Sequence, residues 1–244
     1  NNFYPKIEIK RKKMSSEKTD SPAITINTEE LLKKFKESAD SGDSESMTKY
    51  ADMLSQISNK STDKDESVKY YKMAIEKGNI TAMINYAQML DEGTYIPENK
   101  TEAAKYYKTA ADNGNAYAML KYAKMCENGE GVPTDSEATV KYLDMITKSG
   151  DYSIIGTLGV SLFNGDGFKV DKQRGVDLLK IASENGDANA MNNYANILAR
   201  GDGSVVETDT EKATQLYKQA INLGHAGSMR NYAQLLLKES ENKK

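Results

Sequence analysis

The chain has 244 residues with 33 basic and 36 acidic side chains, a formal net charge of −3, and this near-balance carries no electrostatic footprint for nucleic acid. Its single cysteine, Cys126, excludes an internal disulfide and fits a reducing compartment. No apolar run approaches the roughly 18 residues that a membrane helix needs, and the length is enough to bury a large core as one domain or as an array.

Residues 1–27 lack apolar periodicity and are expected to be a mostly disordered, basic and polar tail. Lys10-Arg11-Lys12-Lys13 reads as a solvated run, with a nuclear address or a membrane-surface contact as the alternatives. No secretory signal pattern opens the sequence. It does not begin with methionine, and Met14 is a candidate initiator.

From residue 28 the chain repeats itself. A first apolar stripe lies near residues 28–40, around Leu31, Leu32, Phe35 and Ala39, and ends before Gly42. Gly42, Gly78, Gly114, Gly150, Gly186 and Gly224 then recur at intervals of 36, 36, 36, 36 and 38 residues. Positions 5, 8, 9 and 12 after each glycine read Met47-Tyr50-Ala51-Leu54, Met83-Tyr86-Ala87-Leu90, Met119-Tyr122-Ala123-Cys126, Ile155-Leu158-Gly159-Leu162, Met191-Tyr194-Ala195-Leu198 and Met229-Tyr232-Ala233-Leu236. This spacing is one stripe of an α-helix, helix A. A second stripe precedes the glycines: Ser67-Tyr70-Tyr71-Ala74, Ala103-Tyr106-Tyr107-Ala110, Thr139-Tyr142-Leu143-Ile146, Gly175-Leu178-Leu179-Ala182 and Ala213-Leu216-Tyr217-Ala220. It predicts helix B, whose first copy is the 28–40 segment.

The glycine can take the left-handed conformation that ends a helix. The residue after it, Asp43, Asn79, Asn115, Asp151 or Asp187, is a predicted N-cap for helix A, and His225 breaks that pattern. Asp63, Asn99, Asp135, Asp171 and Asp209 are predicted N-caps for helix B. A hairpin of two short helices cannot bury its own apolar faces, so each needs its neighbour. The expected architecture is an all-α solenoid of antiparallel helix pairs, about five to six repeats over residues 28–238, with a polar, frayed tail at 239–244.

The copy AAKYYKTAADNGNAYAMLKYAKMCENGEGVPTD, Ala103 to Asp135, resembles the Sel-1-like repeat pattern, a relative of the tetratricopeptide repeats. Most copies write Tyr-Ala where the family has Leu-Gly, which Leu158-Gly159 retains; the first copy lacks the Gly-x-Gly loop at SQISNKSTD. The resemblance implies a right-handed solenoid with a concave groove and the role of an adaptor that assembles proteins. The paired, repeat-linked cysteines of some members are missing.

Catalytic signals are weak. Three Gly-x-Gly pairs (Gly129/Gly131, Gly165/Gly167, Gly201/Gly203) fall at one loop of the repeat and lack the phosphate-loop continuation, so they read as turns. Ser-x-x-Lys begins at Ser15, Ser46, Ser61 and Ser240 without its partner motifs. His225 is the only histidine and reads as a turn residue, and Cys126 as a buried thiol. One histidine and one cysteine make a zinc site improbable. Met53, Met89 and Met125 read as adaptable packing, with a ligand-gripping rim as the alternative. No enzyme activity, cofactor, metal or small-molecule substrate is expected.

A binding groove should lie opposite the buried stripe of helix A, at positions 7 and 10 after each glycine. Position 7 reads Lys49, Asn85, Lys121, Thr157, Asn193 and Asn231; position 10 reads Asp52, Gln88, Lys124, Val160, Asn196 and Gln234. Amides can donate to and accept from a peptide backbone at once, and a plain solvated face is the alternative. The expectation is therefore a cytoplasmic, non-enzymatic scaffold holding a protein or peptide along these residues, without nucleic acid or membrane insertion. A second reading is a ubiquitin-ligase adaptor in endoplasmic-reticulum-associated degradation, for which Asn59, Asn79 and Asn99 open glycosylation sequons. A third is a repeat region cut from a longer signalling protein with an enzymatic domain.

Overall fold

The computed structural model describes residues 28–57, 61–93 and 95–241. They form α1 (Thr28–Asp40), α2 (Ser44–Ile57), α3 (Ser61–Glu76), α4 (Ile80–Glu92), α5 (Lys100–Asp112), α6 (Ala116–Asn128), α7 (Ser136–Lys148), α8 (Tyr152–Asn164), α9 (Lys172–Glu184), α10 (Ala188–Arg200), α11 (Thr210–Asn222) and α12 (Ala226–Glu241). Even-numbered helices carry the A stripe and odd-numbered ones the B stripe. The predicted tail at 1–27 lies outside the described residues, and α12 continues through Glu241.

The punctuation acts as the sequence implies. All six repeat glycines have positive φ, from 75° at Gly150 to 103° at Gly42. Asn79, Asn115, Asp151 and Asp187 each accept a hydrogen bond from the backbone N–H three residues on. Asp43 does the same for Ser46 at 2.9 Å. His225 corrects the expectation of a broken pattern: its Nδ1 accepts from the Ser228 N–H at 3.1 Å, so an imidazole replaces the carboxylate in the cap. Asn99, Asp135, Asp171 and Asp209 cap the B helices. Asp63 does not. Where the Gly-x-Gly loop is lost, α3 starts at Ser61, three residues before the place a cap at Asp63 would set, and Asp63 sits in its first turn.

Each A helix packs against the B helix that follows it, and against the B helix before it. The A stripe is buried in α2, α4, α6, α8 and α10, and each Leu or Met so buried stabilises by roughly 1.5–3 kcal/mol. Tyrosines meet edge-to-face across the hairpins, Tyr50 with Tyr70 at 4.7 Å, Tyr86 with Tyr106 at 5.4 Å and Tyr122 with Tyr142 at 5.3 Å. Such pairs add about 0.5–1.5 kcal/mol beyond the area they bury. In the fourth repeat glycines replace the small side chains. A Cβ on Gly175 would lie 2.7 Å from the Gly159 carbonyl oxygen, so α8 and α9 touch through their backbones.

Polar bonds bolt successive B helices together at a fixed register. Tyr70 donates to Asp40 at 2.5 Å and Tyr142 to Asp112 at 2.6 Å, each across 30 residues. Lys36 pairs with Glu66 at 2.5 Å, and Arg174 with Asp144 at 3.1 Å in the reversed sense. The last A stripe departs from expectation. Met229 is 53% exposed and Leu236 45%, and Ala233 is also exposed, because no B helix follows α12 among the described residues.

Candidate functional site: the A-helix face

A helices approach A helices across repeats at α2–α4, α6–α8, α8–α10 and α10–α12, while successive B helices, though joined by side-chain bonds, do not come as close backbone to backbone. Closer spacing on the A side puts those helices on the inside of the curve. Small residues at position 4 after the glycine, Ser46, Ala82, Ala118, Ala190 and Ser228, are buried and permit the approach.

The ten predicted groove residues separate by row. Position 10 turns toward the B helix of its own repeat. The Asp52 carboxylate accepts from the Tyr71 hydroxyl and from Asn85 Nδ2 at 2.8 Å. Burial pushes the Asp52 carboxyl up, against these two hydrogen bonds, which pull it down. Asn196 Oδ1 accepts from the Tyr217 hydroxyl at 2.7 Å. Where the B helix has Leu143 or Leu179 instead of tyrosine, the partner position holds Lys124 or Val160. Lys124 lies half-buried with its amine 5.6 Å from the Phe168 ring centre, and burial holds its pKa down. The second repeat breaks the pairing. Gln88 Nε2 donates to Glu92 at 2.7 Å, and the buried Tyr107 hydroxyl has no hydrogen-bond partner among the described residues. Gln234 is exposed.

Position 7 faces along the A row. Lys49 is exposed and pairs with Glu45 at 2.5 Å. Lys121 lies 3.9 Å from Asp91 of the previous A helix. Asn85 reaches back to Asp52, and Asn231 Nδ2 donates at 2.9 Å to Asn192 of the preceding A helix. Asn193 is half-buried, 3.5 Å from the Asn192 amide. Asn192 is a residue that the position 7 and 10 rows missed. Its Oδ1 also accepts from Ser228 Oγ at 3.0 Å. The only signal for it is an asparagine at position 6, where no other copy has an amide. Met53 and Met89 are half-buried and Met125 buried, in keeping with packing.

The Gly-x-Gly loops are structural. A Cβ on Gly131 would lie 2.2 Å from the Lys100 carbonyl oxygen, so the turn seats directly on the start of α5. Two open hollows, of about 430 Å³ beside α5 and about 650 Å³ between α9, α10 and the 201–209 loop, contain none of the ladder residues. Among the described residues no group of three or more His, Cys, Asp or Glu is placed to hold a metal ion, and no helix is long and apolar enough to cross a membrane.

The family model for the Sel1 repeat matches residues 44–79, 80–115, 116–151, 158–187 and 188–225. The chain belongs to the Sel1 repeat family. The five matched Sel1 repeats run from an A helix to the B helix after it, which leaves α1 and α12 outside them. A solved Sel1 repeat protein from Oxalobacter formigenes is 24% identical with a TM-score of 0.61; the match covers 84% of this chain and 88% of that one. The c5321 protective antigen of uropathogenic Escherichia coli, with an SLR fold, is 23% identical with a TM-score of 0.61. That match covers 84% of this chain but 43% of the antigen, so the chain spans less than half the antigen's length. The immunity protein Pa5087 of Pseudomonas aeruginosa is 19% identical with a TM-score of 0.53, covering 76% and 67%. At these identities the likeness is one of fold. No curated protein matches the sequence.

Proposed function

We infer that the chain is a non-enzymatic scaffold of the cytoplasm that holds a partner peptide along the inner face of its A helices. The Sel1 repeat fold is in general one of protein–protein interaction. The observation that carries the finer reading is the row at position 7, one residue per repeat and polar at each of the six: Lys49, Asn85, Lys121, Thr157, Asn193 and Asn231. Packed helices lie about 8–10 Å apart, close to the rise of three residues of extended chain at roughly 3.3 Å each. An extended peptide can therefore present a backbone group to each repeat in turn. Asn85 and Asn231 already bond across repeats, so they would hold the row in place, with Lys49, Lys121 and Asn193 meeting the ligand. The reading is tested by comparing the proteins captured by the native chain and by a Lys49→Ala, Lys121→Ala, Asn193→Ala variant of matched helicity. Loss of a defined set supports it; an unchanged set removes the groove.

The adaptor role in endoplasmic-reticulum-associated degradation gains no support from the sequons. Asn79 and Asn99 are engaged as helix caps, and the Asn59 sequon begins outside the described residues.

A further inference from the structure

The first and last of the described helices are complementary halves of one repeat. The described chain begins with a B helix that has no A helix before it, α1, and ends with an A helix that has no B helix after it, α12. Both lie in true repeat slots. The Tyr70–Asp40 and Lys36–Glu66 bonds give α1 the register toward α3 that Tyr142–Asp112 gives α5 toward α7 and Arg174–Asp144 gives α7 toward α9. The Ser228–Asn192 and Asn231–Asn192 bonds hold α12 beside α10.

Among the described residues, no helix covers on α1 or α12 the face that the neighbouring helix covers inside the array. On α12 the open residues are Met229, Ala233 and Leu236; the equivalent Leu54, Leu90, Cys126, Leu162 and Leu198 are at most 5% exposed. On α1 they are Leu31 and Phe35, half-buried where Tyr71, Tyr107, Leu179 and Tyr217 are fully buried.

We propose that α1 of a second copy docks on α12, completing a sixth hairpin between molecules and continuing the solenoid head to tail. Charge supports this register. Inside the array Lys36 lies 5.5 Å from the Tyr50 ring centre and meets Glu66 of the next B helix, to which the Tyr50 hydroxyl also donates at 3.1 Å. Lys218 is the repeat equivalent of Lys36 and lies 5.7 Å from the equivalent ring, Tyr232. Counting back from the glycines, the place of Glu66 is taken in α1 by Glu30. Docking therefore brings Glu30 of the second copy to Lys218. The contact is heterologous, with a different patch on each partner, so it grows into chains rather than closing as a dimer. It uses α1 and α12 and is independent of the groove.

Sedimentation velocity of the full chain over a roughly hundredfold concentration range reads the association. The expected result is concentration-dependent growth beyond the dimer. Leu236→Glu, at an exposed position, abolishes it. Lys218→Glu and Glu30→Lys each weaken it about fivefold at low salt, and an equimolar mixture of the two charge variants restores end-to-end pairing. Two outcomes overturn the proposal: a monomer at every concentration, or a dimer that Leu236→Glu destroys and Glu30→Lys leaves intact, which would be a symmetric α12–α12 contact. A second measurement removes dependence on those variants. Ser67 Oγ donates to the Ala51 carbonyl at 2.9 Å inside the first repeat, and Leu31 and Ala233 hold the matching positions. Mixing Leu31→Cys and Ala233→Cys chains under mild oxidation should give a disulfide-linked heterodimer; linkage no faster than for a pair placed on the B-helix surface would overturn the docking.

Discussion

Three tyrosines occupy one position of the repeat, and removing the same atom from each should give three different results. Tyr71 donates to a buried carboxylate, Tyr217 to an amide oxygen, and Tyr107 to nothing among the described residues. A hydrogen bond to a charged group contributes about 1.5–3 kcal/mol, a neutral one about 0.5–1.5 kcal/mol, and a buried unpaired polar group costs about 1–3 kcal/mol. Tyr71→Phe is therefore expected to destabilise most and Tyr217→Phe about half as much. Tyr107→Phe is expected to stabilise by about 1–2 kcal/mol, since it removes the orphan and keeps the ring. For a chain of this size each kcal/mol moves the Tm by about 2–4 °C. Urea unfolding of the three variants is the assay, with an unchanged slope as the condition for reading midpoints as stability. A Tyr107→Phe variant that loses as much stability as Tyr217→Phe would refute the reasoning, because it would require a partner for that hydroxyl.

Other expectations follow from single contacts. His225→Ala removes the cap of α12 and should cost about 1 kcal/mol, while His225→Asp should restore it, both read by thermal melting. Gly175→Ala pushes a methyl group into the Gly159 carbonyl and Phe163 and should cost about 1–3 kcal/mol, although alanine, serine or threonine fills the same position in the other repeats. Asp52→Asn keeps an acceptor for Tyr71 and removes a buried charge. Because burial raises the Asp52 carboxyl pKa, the native state holds that proton more tightly than the unfolded chain, and the wild type gains stability as the pH falls through the raised value. The variant should thus be the more stable at neutral pH, with the advantage shrinking toward acid; an advantage that grows toward acid would contradict the buried charge.

The repeat, its helices and most of its caps were legible because glycine and Asn/Asp act locally: a left-handed turn and a side-chain acceptor need no tertiary partner. His225 escaped that reading because its capping power lies in Nδ1, not in a carboxylate. Asp63 escaped it because losing the Gly-x-Gly loop lets α3 begin earlier. The surroundings of the two predicted rows were only partly legible. A single helix has one face opposite its apolar stripe, but an A helix here has neighbours on three sides, so position 10 is claimed by the tyrosine of its own hairpin. That pairing was present in the letters, since Tyr71, Tyr107 and Tyr217 accompany Asp52, Gln88 and Asn196, whereas Leu143 and Leu179 accompany Lys124 and Val160. The exposure of Met229 and Leu236 was not legible from periodicity, which marks an apolar stripe whether or not anything covers it.

Among the described residues, every substantial helix–helix contact joins elements one or two places apart in the chain. Under mechanical load such a molecule has no distant seam that must shear before the rest can yield. Pulled from its two termini, it should pay out one hairpin at a time as a series of similar small force peaks, and on relaxation wind back from whichever hairpins survived.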